Sequence, residues 1–151
     1  MESNQIKSGI GGWLSLFCFG LVVFVPLLTL GSLAELEKYR GFYSKFPSVA
    51  NFVRFDQVVR VIISILGIFV GLNLYKIKYN SLKMAKSFLL VIVIYGCIYG
   101  VSPILFTRLP KEIENSLWDL SLVTGLKIIG TAGIWSLYLK NSSRVKNTYL
   151  S

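Results

Sequence analysis

Four long apolar runs, each nearly free of charge, dictate what this chain can become. Residues 9–34 contain no charged side chain, and neither does the run from Ser87 to Thr107. Eighteen or more such residues are enough to cross the ~30 Å hydrocarbon core of a bilayer as an α-helix. Inside lipid the backbone must satisfy its own hydrogen bonds, which restricts such segments to helices. The second run is strongly apolar only from Val61 to Leu74, between Arg60 and Lys76. That stretch rises only ~21 Å at 1.5 Å per residue, so the span needs extending back to about Asp56. Arg60 is then expected to snorkel toward the interface. The fourth run, Leu117 to Leu139, carries Asp119 near its start and Lys127 near its middle. The expected fold is therefore all-α: a polytopic membrane protein with four transmembrane helices in a compact bundle. Its spans cover about 10–34, 56–75, 87–107 and 117–139, with a loop at 35–55 on the extracytoplasmic interface and a basic cytoplasmic tail at 140–151.

A cleavable secretory signal is the rival reading of the first run, since Ser32-Leu33-Ala34 has the small residues of a cleavage site. The run is too long for a signal's apolar core and only Lys7 precedes it, so it is read as retained.

Composition agrees with a lipid solvent. Hydrophobic residues make up 54% of the chain and charged residues 15%, with a mean hydropathy of +0.63. A soluble domain needs roughly 25% charged residues to cover its surface. The 16 Lys and Arg against 7 Asp and Glu would suggest nucleic acid in a soluble protein. Here the cations flank apolar runs, so topology and anionic headgroups explain them and no nucleic-acid partner is expected. The chain has no histidine, which removes the commonest general base and metal ligand. Cys18 and Cys97 lie inside apolar runs and read as small hydrophobes. No cofactor, metal or catalytic residue is expected.

Four spans put both termini on one side. The turn between the second and third runs holds Lys76, Lys78, Lys83 and Lys86 with no acid, and short basic loops stay in the cytoplasm. The segment between the first two runs mixes Lys38, Arg40, Lys45 and Arg54 with Glu35, Glu37 and Asp56. Both termini are therefore expected in the cytoplasm. The 35–55 segment is rich in rings (Tyr39, Phe42, Tyr43, Phe46, Phe52 and Phe55), and Pro47 interrupts any continuous helix through it. It reads as an interfacial belt, or alternatively as a lid or docking surface. Trp13, Trp118, Trp135 and Tyr138 also sit near span boundaries.

Lys127 is the sharpest break in the pattern. A lysine at the middle of a span costs ~2.5–3.5 kcal/mol on insertion scales. The ten Leu, Ile and Val residues from Leu117 to Leu139 return roughly 3–6 kcal/mol, so the span still inserts. Thr124, Gly130 and Thr131 share its face, a small and polar stripe that suits an interhelical contact, so the ammonium is expected to point into the bundle. It either snorkels there or serves an anionic solute, headgroup or proton. The five acids Glu35, Asp56, Glu112, Glu114 and Asp119 read as solvated loop residues rather than an enzyme's carboxylate pair. Pro26 and Pro103 fall inside the first and third spans and read as packing kinks, or as paired broken helices of a transporter. Gly67 with Gly71 and Gly96 with Gly100 form GxxxG pairs, which allow close packing within the bundle or a homodimer.

The two ends also carry motifs. Gly9-Ile10-Gly11-Gly12-Trp13-Leu14, followed by Gly20-Leu21 and Pro26, opens the chain. Trp135, Tyr138, Ser142, Arg144-Val145-Lys146, Thr148 and Tyr149 close it. Together they resemble a bacterial family of small four-span inner-membrane proteins known only as a domain of unknown function, in which phenylalanine is usual at the position of Tyr149. The resemblance implies an inner-membrane location and supplies no activity. Gly11, Gly12 and Trp13 then lie where the chain enters the membrane, with Arg144 and Lys146 just beyond the last span, and contact between the two motifs is expected. The leading functional reading is a non-enzymatic scaffold, regulator or accessory subunit with a membrane-protein partner or a second copy of itself. The alternative is a small oligomeric transporter or channel for an anionic solute or lipid headgroup, using Lys127.

Overall fold

The computed structural model describes residues 9–38, 40–105 and 109–149, apart from the side chains of Leu36, Phe42 and Leu105. Lys7, Tyr39 and Thr107, used above for topology, the aromatic segment and a span end, lie outside the described residues. No strand occurs among those described. The first span joins α1 (Trp13–Phe19) through a wider turn at Gly20–Phe24 to α2 (Val25–Lys38). A short α3 (Arg40–Lys45) follows, then α4 (Pro47–Tyr75), α5 (Ser81–Val101) with a 3₁₀ turn at Ser102–Leu105, α6 (Lys111–Asn141) and α7 (Ser143–Tyr149). Four helices are long and apolar enough to cross a membrane, and they pack together.

The segment expected as an interfacial loop at 35–55 is mostly helical. Residues 35–38 complete α2 and residues 47–55 begin α4, so the chain turns within a few residues. Pro47 explains where: its fixed φ suits the first helical position and its missing N–H is an orphan there anyway. The second span is thereby 29 residues long, which carries Asp56 and Arg60 well inside a helix instead of at its mouth.

Each embedded proline coincides with a local change of helix type. Pro26 lacks the N–H that would bond one turn back, and the chain accommodates it by widening the preceding turn. The Val25 N–H reaches five residues back to the Gly20 carbonyl, a π-type bond. Pro103 instead stops its helix: α5 ends at Val101 and a 3₁₀ turn holds Ser102–Leu105. At its other end α5 begins at Ser81, six residues before the uncharged run.

Glycines set the helix contacts. On α4, Gly67 and Gly71 admit the first span: a Cβ at Gly71 would lie 2.7 Å from Val22 Cγ2 and 3.3 Å from the Cys18 carbonyl. On α6, a Cβ at Gly125 would lie 2.7 Å from the Gly96 carbonyl and 2.9 Å from Gly100 Cα, so α5 and α6 touch backbone to backbone. Both GxxxG pairs are therefore used within the bundle. The apolar core gathers near the 76–80 turn. Leu14, Phe17, Leu74, Ala85, Leu139 and Val145 meet there, and Phe88 and Ile63 carry the same cluster further into the bundle. α6 supplies only Ser121, Gly125, Ala132 and Leu139 as buried residues and is the most peripheral span.

Candidate functional sites among the spans

Among the described residues, half of the buried polar side chains lie on α4: Asp56, Gln57, Ser64 and Asn73. Asp56 is only 7% exposed, against its reading as a solvated loop acid. Arg60, one turn later on the same face, donates from Nε to Asp56 Oδ2 at 2.6 Å. It reaches back one turn toward the start of α4 and onto that carboxylate. The Tyr95 hydroxyl, from α5, donates to the other oxygen, Asp56 Oδ1, at 2.7 Å. Tyr99, one turn further along α5, lays its ring 5.4 Å from Arg60 Cζ. Beside them Ser32 and Gln57 exchange bonds between α2 and α4: Ser32 Oγ to Gln57 Oε1 at 3.0 Å, and Gln57 Nε2 to the Ser32 carbonyl at 3.2 Å.

The ion pair therefore ties α4 to α5, and the neighbouring Ser32–Gln57 pair separately ties α2 to α4. Every carboxylate oxygen of Asp56 has a donor, as a buried ion pair requires if its desolvation is to be offset. A cleft of about 530 Å³ opens beside it, bordered by Ser32, Tyr43, Asp56, Arg60, Tyr99 and Ser121. Sequence reasoning missed this cluster because the second span was begun at Asp56. With the helix taken back to Pro47, an acid four residues before an arginine in an apolar run is the signal for it, and two tyrosines four apart on the next span are the complement.

Lys127 stands elsewhere and points the other way. It is exposed on the outer face of α6, and none of the acids among the described residues bonds to it. The expectation that its ammonium points into the bundle is corrected by Gly125. That residue must face α5 for the backbones to touch, and a position two residues on then lies about 200° around a helix turning 100° per residue. Thr131, also exposed, donates its hydroxyl to the Lys127 carbonyl at 2.8 Å, while Thr124 is half-buried and Gly130 exposed. The stripe is real but faces outward. Pro26 and Pro103 belong to the first span and the end of α5 and are not brought to it.

The end motifs do meet. The Gly9 N–H donates to Thr148 Oγ1 at 2.9 Å, and the Arg144 guanidinium lies against Gly11. A side chain at Gly11 would collide with Arg144 Nη1, and Gly12 holds a φ of +57°, where a Cβ is strained. Tyr149 donates its hydroxyl to the Leu74 carbonyl at 2.7 Å, a second donor to an oxygen that also accepts from the Ile77 N–H at the end of α4. Burial pushes this phenol's pKa up, so it stays a donor throughout the neutral range. Lys146 is exposed beside this contact. Trp13, expected as a boundary anchor, packs edge-on to Trp135 of α6 at 6.5 Å.

A sequence model of a family described as a protein of unknown function, DUF2569, matches residues 7–150. The chain belongs to the DUF2569 family. Comparisons with curated proteins and with solved structures each find no match. The DUF2569 match spans both end motifs and all four apolar helices, so the tail-to-glycine contact and the Asp56–Arg60 network both lie within the shared unit.

Proposed function

We propose that this protein is a non-enzymatic accessory subunit or scaffold of a bacterial inner membrane, with both termini in the cytoplasm and its outer α6 face docked on a partner's transmembrane helix. The observation that carries this reading is Lys127, exposed at the middle of α6 with no acid bonded to it. Eight residues separate it from Asp119 and thirteen from Lys140, or ~12 and ~20 Å of helix rise, more than a four-carbon stem can bridge fully. A lysine facing lipid there costs ~2.5–3.5 kcal/mol, and a carboxylate on a neighbouring helix at the same depth removes that penalty. The small residues Gly130 and Thr131 beside it allow such a helix to come close.

Charge also selects the partner. A parallel two-fold dimer through this face would set Lys127 against its own copy, so a different chain bearing an aspartate or glutamate fits better. The non-enzymatic reading is supported by the state of Asp56: with both oxygens engaged by Arg60 and Tyr95, it is braced rather than poised for proton transfer. Gently solubilised membranes should hold the protein in a complex larger than the monomer. Lys127→Glu should reduce it to monomer size while Lys127→Arg leaves it intact. A monomer in wild-type membranes, or a complex indifferent to both changes, sinks the reading.

A second reading rests on the cleft of about 530 Å³ at Arg60, whose size and polar rim suit a small solute. Reconstituted vesicles distinguish it: solute flux that Arg60→Leu abolishes and Lys127→Leu spares would favour transport through that cleft.

A further inference from the structure

The start of α5 carries a feature that the helix bundle itself does not need. Ser81, its first residue, is 1% exposed, yet its hydroxyl has no hydrogen-bond partner among the described residues. Buried hydroxyls are normally satisfied, and of the two left without a partner among the described residues, Ser81 and Ser102, Ser81 stands at the wall of a cleft. Ser81 borders a cleft of about 610 Å³ formed by the 77–83 segment, Lys86 and the end of the tail at Thr148 and Tyr149. Three of the residues around it are lysines (Lys78, Lys83 and Lys86), and no acid borders it.

The backbone adds to the same charge preference. α5 is 21 residues long, and its first-turn amides at Leu82 and Lys83 have no acceptor within the helix. Asn80, the residue before it, sits at φ +64° and offers no side-chain cap. An uncapped helix start with open N–H groups and a positive dipole end favours an anion. The hydroxyl of Ser81, the amides and the lysine ammoniums all donate, and a tetrahedral phosphate accepts from several donors at once.

We propose that this cleft binds a phosphate group, held by the Ser81 hydroxyl and the α5 amides and flanked by Lys78, Lys83 and Lys86. Its place at the junction where α4 ends and α5 begins puts it at the headgroup layer, so the phosphate is either that of an anionic lipid or a free anion in solution. The site lies at the opposite end of the bundle from the Asp56–Arg60 network and does not depend on the α6 face.

The test uses the full-length protein in nanodiscs of phosphatidylcholine with increasing phosphatidic acid, and separately with inorganic phosphate, reading the bound phosphorus resonance. Wild type is expected to retain phosphate in a saturable way. Ser81→Ala, which preserves net charge, should weaken retention about 3- to 10-fold, the size expected for losing one hydrogen bond of ordinary net strength. The triple change of Lys78, Lys83 and Lys86 to Gln should weaken it more, and Lys140→Gln should leave it unchanged. Saturation by phosphatidic acid without competition from inorganic phosphate assigns the site to a lipid headgroup. Saturation by inorganic phosphate alone assigns it to a soluble anion. Retention equal in wild type and Ser81→Ala, or no saturable binding of either probe, overturns the proposal.

Discussion

Asp56 accepts from two donors on two different helices, and each has a separate consequence when removed. Tyr95→Phe keeps the ring but leaves Asp56 Oδ1 buried without a donor, a loss of about 1–3 kcal/mol. Arg60→Leu strips the countercharge from a buried carboxylate, a larger loss of about 3–5 kcal/mol. Replacing Asp56 and Arg60 together by leucine should recover most of that, because no charge is then stranded. Unfolding in mixed detergent micelles measures all three, and a double variant as unstable as Arg60→Leu would contradict the account. At the other end of the bundle, Tyr149→Phe removes a single hydrogen bond to Leu74 and should cost no more than about 1.5 kcal/mol. Since the phenol's pKa is raised on folding, that bond is fully present below the unfolded value near pH 10 and is lost only as pH rises through the higher folded value. Thermal stability of Tyr149→Phe and wild type should therefore differ by the same small margin from pH 6 to 9. These residues were the least legible in the sequence. An isolated acid or tyrosine near a span boundary reads the same whether it faces lipid, water or another helix, and only the packing of α4 on α5 decides.

At the scale of the helices, close backbone contact fixes which face of each span turns inward. Gly125→Ala places a methyl group against the Gly96 carbonyl and Gly100 Cα, atoms that yield only if α5 and α6 separate. A loss of about 1–3 kcal/mol is expected, as for other overpacked contacts. Gly130→Ala and Gly133→Ala meet nothing within 4 Å and should be neutral or slightly stabilising. Melting in detergent checks the ranking, and equal effects at the three positions would contradict it. Existence and number of the spans were legible because twenty apolar residues in a row admit few alternatives. Their ends were not. Hydropathy falls away where a helix leaves lipid, while the helix itself runs on: α4 and α6 are 29 and 31 residues long, beyond what the hydrocarbon core requires. The rotation of α6 was misread for a related reason. A polar stripe marks a special face of a helix without saying whether its partner is in the same chain, whereas the glycine on the opposite face does.

For the molecule as a whole, the glycine-rich start, the 76–80 turn and the tail converge on one end of the bundle, through Gly9–Thr148, Gly11–Arg144 and Tyr149–Leu74. Whatever side of the membrane holds one must hold all three. In a background lacking Cys18 and Cys97, a cysteine at the exposed Tyr79 should react with an impermeant maleimide only after the cells are opened, and one at the exposed Ser44 in intact cells. Reversed labelling would invert the proposed orientation while leaving the fold untouched. The central claim concerns the outer face of α6, which holds a mid-span lysine and little else that the bundle uses. Photo-crosslinking residues placed at Leu126 and Ile134, both strongly exposed on α6, test it in native membranes against Ile65, equally exposed on α4. The account expects one discrete adduct from both α6 positions and none from Ile65, with the captured chain carrying a carboxylate in a membrane span. The adduct should vanish in Lys127→Glu and return when that carboxylate is changed to lysine. Crosslinks to lipid alone from α6, or an adduct that survives Lys127→Glu, would contradict it.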